Sequence, residues 1–162
     1  MNKLFTLQVL EELKKTIRQC LEDTITFMFN FDISLCDSPK EAKDKEPVCA
    51  SVILSSAATR ALLYVTIPNP VANELALVIG AGDLPKDQML QDIACELANI
   101  VAHAIQGYFD RLPSAVSFDV GLPQKGLVSP HLPSEDAGIL KLPTPADGVD
   151  PICLDFVFSK SA

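Results

Sequence analysis

Residues 85–111 constrain the fold more tightly than any other stretch. Leu90, Ile93, Leu97, Ile100, Val101, Ala104, Ile105 and Phe109 recur at spacings of three and four, the period of a helix that buries one face. At about 100° per residue, Asp92, Glu96, Asn99, His103 and Gln106 gather in a strip roughly 80° wide on the opposite side. So long a helix with so narrow a polar strip needs a broad apolar surface to lie on. Pro85 falls at its first turn and Pro113 just beyond its end, two places where proline is tolerated. Periodicity alone makes the strip a solvated face. Asn99 weakens that reading, because asparagine is a poor helix former whose amide competes for backbone partners.

A second amphipathic pattern occupies residues 5–28. Val9, Leu10, Leu13, Ile17, Leu21, Thr24 and Met28 fall inside, and Glu11, Glu12, Lys14, Lys15 and Arg18 mostly outside. Phe27, Phe29 and Phe31 alternate with Met28, Asn30 and Asp32, so a shift toward strand is expected there. Between Asp37 and Glu46 charges of both signs crowd together and cancel, the pattern of a solvated loop. Val48–Leu54 and Ala61–Ile67 are predicted strands of one hairpin, stopped by Pro68-Asn69-Pro70. A short helix is expected over Val71–Ile79, closed by Gly80-Ala81-Gly82. Those glycines do not make a dinucleotide loop, since Pro85 stands where the third glycine would be needed. Val116–Val120 alternates as a strand. Proline-punctuated loops then fill residues 122–151 around a strand at Gly138–Leu142, and Ile152–Phe158 is the last strand signal. Strands grouped between helices predict an α+β, two-layer domain, with long helices packed on a mostly antiparallel sheet. The size of the chain predicts one domain over residues 1–162.

A net charge of −8 argues against nucleic acid or an anionic membrane surface as the main partner, since both demand basic patches. No apolar run approaches the ~20 residues needed to insert across a membrane. Glu11, Glu12, Lys14 and Lys15 interrupt the N-terminal apolar residues too early for a secretion signal, so a cytoplasmic location is expected. Cys20, Cys36, Cys49, Cys95 and Cys153 are scattered, without a Cys-x-x-Cys pair, and are expected to be free, mostly buried thiols. Only His103 and His131 could join them as ligands, and on a common helix Cys95 projects about 80° away from His103. His131 itself lies in a proline-rich loop without an evident nucleophile beside it. There is no Gly-x-Ser-x-Gly elbow, no phosphate loop and no His-Glu-x-x-His pair. No catalytic metal or organic cofactor of the chain's own is therefore expected.

Asp92-Ile93-Ala94-Cys95-Glu96-Leu97-Ala98-Asn99-Ile100-Val101 resembles the Glu-x-x-Asn motif of the CheC/CheX/FliY family of chemotaxis phosphatases, in its setting of small and aliphatic residues. The hairpin Val52–Ile67, the short helix ending at Gly80, and Pro113 leading into Val116–Val120 follow in the family's order, so the resemblance spans roughly Val48–Gly121. Glu11, Glu12 and Glu22 are followed three residues later by Lys14, Lys15 and Ile25, so the first helix carries no second motif. One motif resembles the single-domain CheX branch and not the two-site CheC arrangement.

The resemblance implies a CheC-like fold, a homodimer, and a phosphatase acting on the aspartyl phosphate of a CheY-like response regulator. Asn99 would orient the attacking water and Glu96 would dock the partner, with Asp92, His103 and Gln106 at the periphery of the site. The phosphorylated receiver would bring its own Mg²⁺ and lysine. A rival reading of the same resemblance is a protein that binds the response regulator, or sits at the flagellar switch, without hydrolysing anything. Two departures from the family stand out. His103 takes a position where a glycine is common, and the hairpin turn reads Ser56-Ala57-Ala58-Thr59 where a glycine is often found. A bulky His103 beside Asn99 would either obstruct a partner helix or add a contact to it.

Overall fold

The computed structural model describes residues 4–29, 46–57, 59–78, 87–113, 116–126, 137–143 and 152–159, with the backbone alone at 28, 29, 70, 137–143, 153 and 159. Phe31, Cys36, most of the charged run, the Gly80-Ala81-Gly82 segment, Pro85 and His131 lie outside the described residues.

Thr6 starts the first helix, α1 (Leu7–Phe29), by accepting the Val9 N–H at 3.3 Å through its hydroxyl, which satisfies one of the unpaired donors of the first turn. Leu13, Ile17, Leu21 and Ile25 then repeat every four residues and are all buried. The shift toward strand expected from Phe27 does not begin by Phe29, because α1 continues helically to that residue. A four-residue register of buried aliphatics outweighs one short alternation.

β1 (Val48–Ser55) and β2 (Arg60–Ile67) form the expected hairpin, in unbroken antiparallel register from Val48 opposite Ile67 to Ser55 opposite Arg60. The Ser56 N–H donates to the Thr59 carbonyl at 2.8 Å and closes the turn. Asn69 and Pro70 begin α2 (Asn69–Val78), two residues earlier than its apolar pattern suggests, as a first-turn proline allows. α3 (Asp87–Asp110) is the long helix read from the sequence, with Asp87 at the positive end of its dipole. Two short-range bonds, Arg111 N–H to Tyr108 O and Leu112 N–H to Phe109 O, tighten its last turn before Pro113.

The sheet runs β3-β1-β2-β6-β5, with β3 (Asp119–Val120), β4 (Gln124–Lys125), β5 (Ala137–Pro143) and β6 (Cys153–Ser159), and every pairing is antiparallel. Alternation places Val48, Ala50, Val52 and Leu54 of β1, Ala61, Leu63, Val65 and Ile67 of β2, and Leu154, Phe156 and Phe158 of β6 in one core with the helices. α3 lies across β1 and β2, and α1 lies beside α3. Phe5 seals the end of this core, stacked on Phe158 with centroids 4.2 Å apart and edge-on to Phe109 at 5.7 Å. The architecture is thus α+β, as the grouping of strands predicts.

The edge beside β1 departs from the sequence reading. A single strand over Val116–Val120 was the expectation; instead Val116, Ser117 and Phe118 are irregular and two dipeptide strands pair β1 in succession. Val120 opposes Leu54 and Lys125 opposes Ala50, so one extra residue is accommodated in Gly121-Leu122-Pro123, a bulge. Pro123 has no N–H to give the ladder, and Leu122 is thrown outward to 87% exposure. Gly121 fits closely there: its N–H donates to the Ile53 carbonyl at 2.8 Å, and a Cβ would crowd that oxygen at 3.1 Å. After the bulge the chain turns back toward α3.

Candidate functional site

α3 divides as its periodicity requires. Leu90, Ile93, Leu97, Val101, Ile105 and Phe109 are buried, and so are Ala94, Ala98 and Ala102, whose small side chains let the helix settle closely on the sheet. Ile100 and Ala104 were expected inside but are half-buried at the flanks. Tyr108, absent from the expected apolar face, is buried. Its hydroxyl donates to Glu12 Oε2 at 3.0 Å, with the Val9 carbonyl at 3.4 Å, and so ties α3 to α1. Burial, together with the Glu12 carboxylate, pushes that hydroxyl up to about 12.

All five candidate residues share the outer strip. Asp92, Glu96 and His103 are exposed, and Asn99 and Gln106 are half-buried. Their surroundings differ along the helix. At the N-terminal end, Asp92 Oδ1 accepts from Gln88 Nε2 at 3.0 Å and meets Lys125 Nζ at 3.3 Å. At the C-terminal end, Gln106 Nε2 donates to the Phe118 carbonyl at 2.6 Å, and Gln106 Oε1 lies 3.1 Å from His103 Nδ1. Between these tethers Glu96 and Asn99, one turn apart, make no side-chain hydrogen bond or ion pair among the described residues. The structure therefore presents a carboxylate and a carboxamide side by side, open to a partner, on a helix held rigid from below and pinned at both ends of the strip.

Lys125 was not singled out in the sequence. It arrives through the bulge, and no helical or strand period points to a lysine five residues beyond a short edge strand. Its ion pair is half-exposed on both sides, so it adds little stability. Its consequence is electrostatic: Asp92 has a cation within the molecule, which leaves Glu96 as the carboxylate of the strip without one among the described residues. Cys95, on the flank next to Lys125, is half-buried. Desolvation pushes its thiol up, with Lys125 working against that and Asp92 with it, so it does not resemble an activated nucleophile. Cys20 and Cys49 are free and half-buried as well, so the three cysteines with described side chains are less buried than expected. Cys20 is pushed up by burial too, and outweighs a hydrogen bond from Thr24 that acts the other way. Among the described residues no group of three His, Cys, Asp or Glu side chains is placed to hold a metal ion. No helix among them is long and apolar enough to cross a membrane.

No protein-family model and no curated protein sequence matches the chain. Solved structures do. Chemotaxis protein CheX from Vibrio vulnificus superposes with a TM-score of 0.63 at 17% identity, over 91% of this chain and 95% of that one. A CheC-like superfamily protein from Shewanella sp. PV-4 gives a TM-score of 0.63 at 16% identity, over 91% of this chain and 97% of that one. CheX in the CheX-CheY-BeF3-Mg complex from Borrelia burgdorferi gives 0.52 at 13% identity, over 90% and 95%. The chain is built on the fold of the CheC/CheX chemotaxis proteins.

Proposed function

We propose that this protein is a phosphatase of phosphorylated CheY-like response regulators, with Glu96 and Asn99 as its working pair. The observation that carries the proposal is their presentation. On a CheX-type fold, Glu96 and Asn99 of the Glu-x-x-Asn motif are the two of the five strip residues that make no side-chain hydrogen bond or ion pair among the described residues. A CheX relative crystallised with CheY, BeF3 and magnesium supports a receiver domain as the partner.

The chemistry asks little of such a helper. Water attacks phosphorus in line, the bond from phosphorus to the aspartyl oxygen breaks, and the products are inorganic phosphate and a free carboxylate. The transition state is loose, so positioning and charge placement outweigh strong base chemistry. Asn99 offers an acceptor and a donor on one rigid amide and orients the water without titrating. Glu96 pairs with a lysine of the receiver and sets the docking register. Mg²⁺ belongs to the receiver. The net charge of −8 provides no long-range attraction to an acidic phosphorylation site, so the complex is transient.

The test is release of inorganic phosphate from a phosphorylated CheY-like receiver with and without this protein. Acceleration that disappears in Asn99→Ala supports the reading. Tight binding to the receiver without acceleration would leave a non-catalytic binding protein of the same fold. We also propose a homodimer, since among the described residues β5 ends the sheet with one side paired to β6 alone, and an open strand edge invites a partner. Light scattering giving 17.5 kDa at all concentrations would exclude it.

A further inference from the structure

Gln106 makes two hydrogen bonds whose chemistry leaves one arrangement. The Phe118 backbone carbonyl can only accept, so the Gln106 atom 2.6 Å from it is the amide nitrogen. The other end of that amide, Oε1, can also only accept, so the His103 Nδ1 lying 3.1 Å from it must carry a hydrogen. A neutral imidazole has one N–H, and Nε2 is therefore left with its lone pair. The base of this relay is firm. Phe118 is fully buried, with its ring edge-on to Phe109 at 5.1 Å, and Gln106 is half-buried between α3 and the segment leading into β3. The far end is open, because His103 is exposed one turn beyond Asn99 on the same strip.

We propose that Gln106 locks His103 in the Nδ1–H tautomer, so that Nε2 stands out from the strip as a hydrogen-bond acceptor for an N–H or O–H donor on a docked receiver domain. Gln106 is the positioning residue and His103 the specificity-determining contact. The docking half rests on the receiver-binding reading above; the tautomer half does not. The relay also gives the bulky residue next to Asn99 a use: its ring is held by Gln106 and its free nitrogen is directed to a partner. A partner offering only acceptors at that point, such as a carboxylate, is disfavoured.

Nitrogen NMR of the imidazole tests the first half on the free protein, in a His131→Gln background that leaves His103 as the single histidine. Wild type is expected to show the Nδ1–H signature at a pH where the ring is neutral. Gln106→Leu should revert to the Nε2–H form that histidine prefers in water. Gln106→Glu can accept from Nδ1–H but cannot donate to the Phe118 carbonyl, so it should keep the Nδ1–H form. That separates tautomer control from a merely structural tie to Phe118. An Nε2–H ring in wild type, or no change in Gln106→Leu, overturns the proposal. The second half is tested by titrating a CheY-like receiver loaded with BeF3 and Mg²⁺. His103→Ala and Gln106→Leu should each weaken Kd by about fivefold, the worth of one net hydrogen bond. The double variant should lose no more than either single one. Unchanged Kd in both, with Asn99→Ala still docking but no longer releasing phosphate, would overturn the contact and leave the proposed function standing. Failure of wild type to bind the receiver would overturn the contact together with the receiver reading.

Discussion

α1 and α3 are the two long helices, 23 and 24 residues, and they lie side by side over the same core, yet the pairs on their outer faces are drawn from different places. On α1 the side-chain pairs run along the helix itself, and Lys15, Arg18 and Glu22 make none among the described residues. Gln8 bonds Glu12 at 3.2 Å, Lys14 pairs with Glu11 at 3.0 Å and Gln19 bonds Asp23 at 2.8 Å, all at spacings of three or four. On α3 such local pairing is confined to the ends of the strip, where contacts from Lys125 and Phe118 reinforce it, and among the described residues Glu96 and Asn99 are left unpaired in the middle. A face whose pairs run only between neighbouring turns is a solvated surface. A face that holds its frame still and leaves two unlike polar groups open is suited to receive something. Amphipathicity is the same in both; what differs is where the polar groups find their partners.

Substitutions can break this contrast. Asn99→Ala should produce the largest effect, a loss of roughly a hundredfold in the rate of phosphate release, or about 3 kcal/mol, with docking nearly intact, because a water-positioning contact acts mainly in the transition state. Single-turnover kinetics separates the two, and an unchanged rate would make α3 the equivalent of α1. Glu96→Ala should weaken both docking and turnover by about tenfold, as loss of a charge-assisted contact does. Neither change should cost more than about 0.5 kcal/mol in a urea melt, since neither side chain is fully buried.

Tyr108→Phe tests the seam between the helices. It should cost about 1 kcal/mol at neutral pH through the lost bond to Glu12. The folded chain favours the neutral phenol, so this stabilisation is fully present below the unfolded value of about 10 and is lost as pH rises from there to about 12. Urea midpoints across that range should therefore fall more steeply in wild type than in Tyr108→Phe; parallel slopes would mean that the hydroxyl is not held by the fold. Lys125→Ala should lower stability by less than about 1 kcal/mol, and the difference should shrink with added salt, because its pair with Asp92 is half-exposed. On α1, Glu11→Ala and Lys14→Ala should each change stability by less than about 0.5 kcal/mol and leave phosphate release unaltered. A rate defect in either would mean that α1 takes part in docking and that the contrast between the helices is drawn in the wrong place.

Local order determined much of this molecule. Period-3.6 burial placed α1 and α3, period-2 alternation placed the hairpin and the β6 signal, and prolines and glycines set most of the boundaries, because those signals depend on neighbours a few residues away. The polar strip of α3 and its five residues follow from helical geometry alone, and the Glu-x-x-Asn spacing was visible for the same reason. Tertiary structure decided what those residues meet. The bulge at Gly121-Leu122-Pro123 splits an expected strand and brings Lys125 to Asp92; Tyr108 turns inward to Glu12; Gln106 reaches the Phe118 carbonyl and thereby orients His103. Each of these joins residues between 12 and 96 positions apart or depends on one extra residue in an edge ladder, so no local period encodes it. The chain determined that one helix would carry a polar strip; the packing of its neighbours decided which two groups on that strip would be left open.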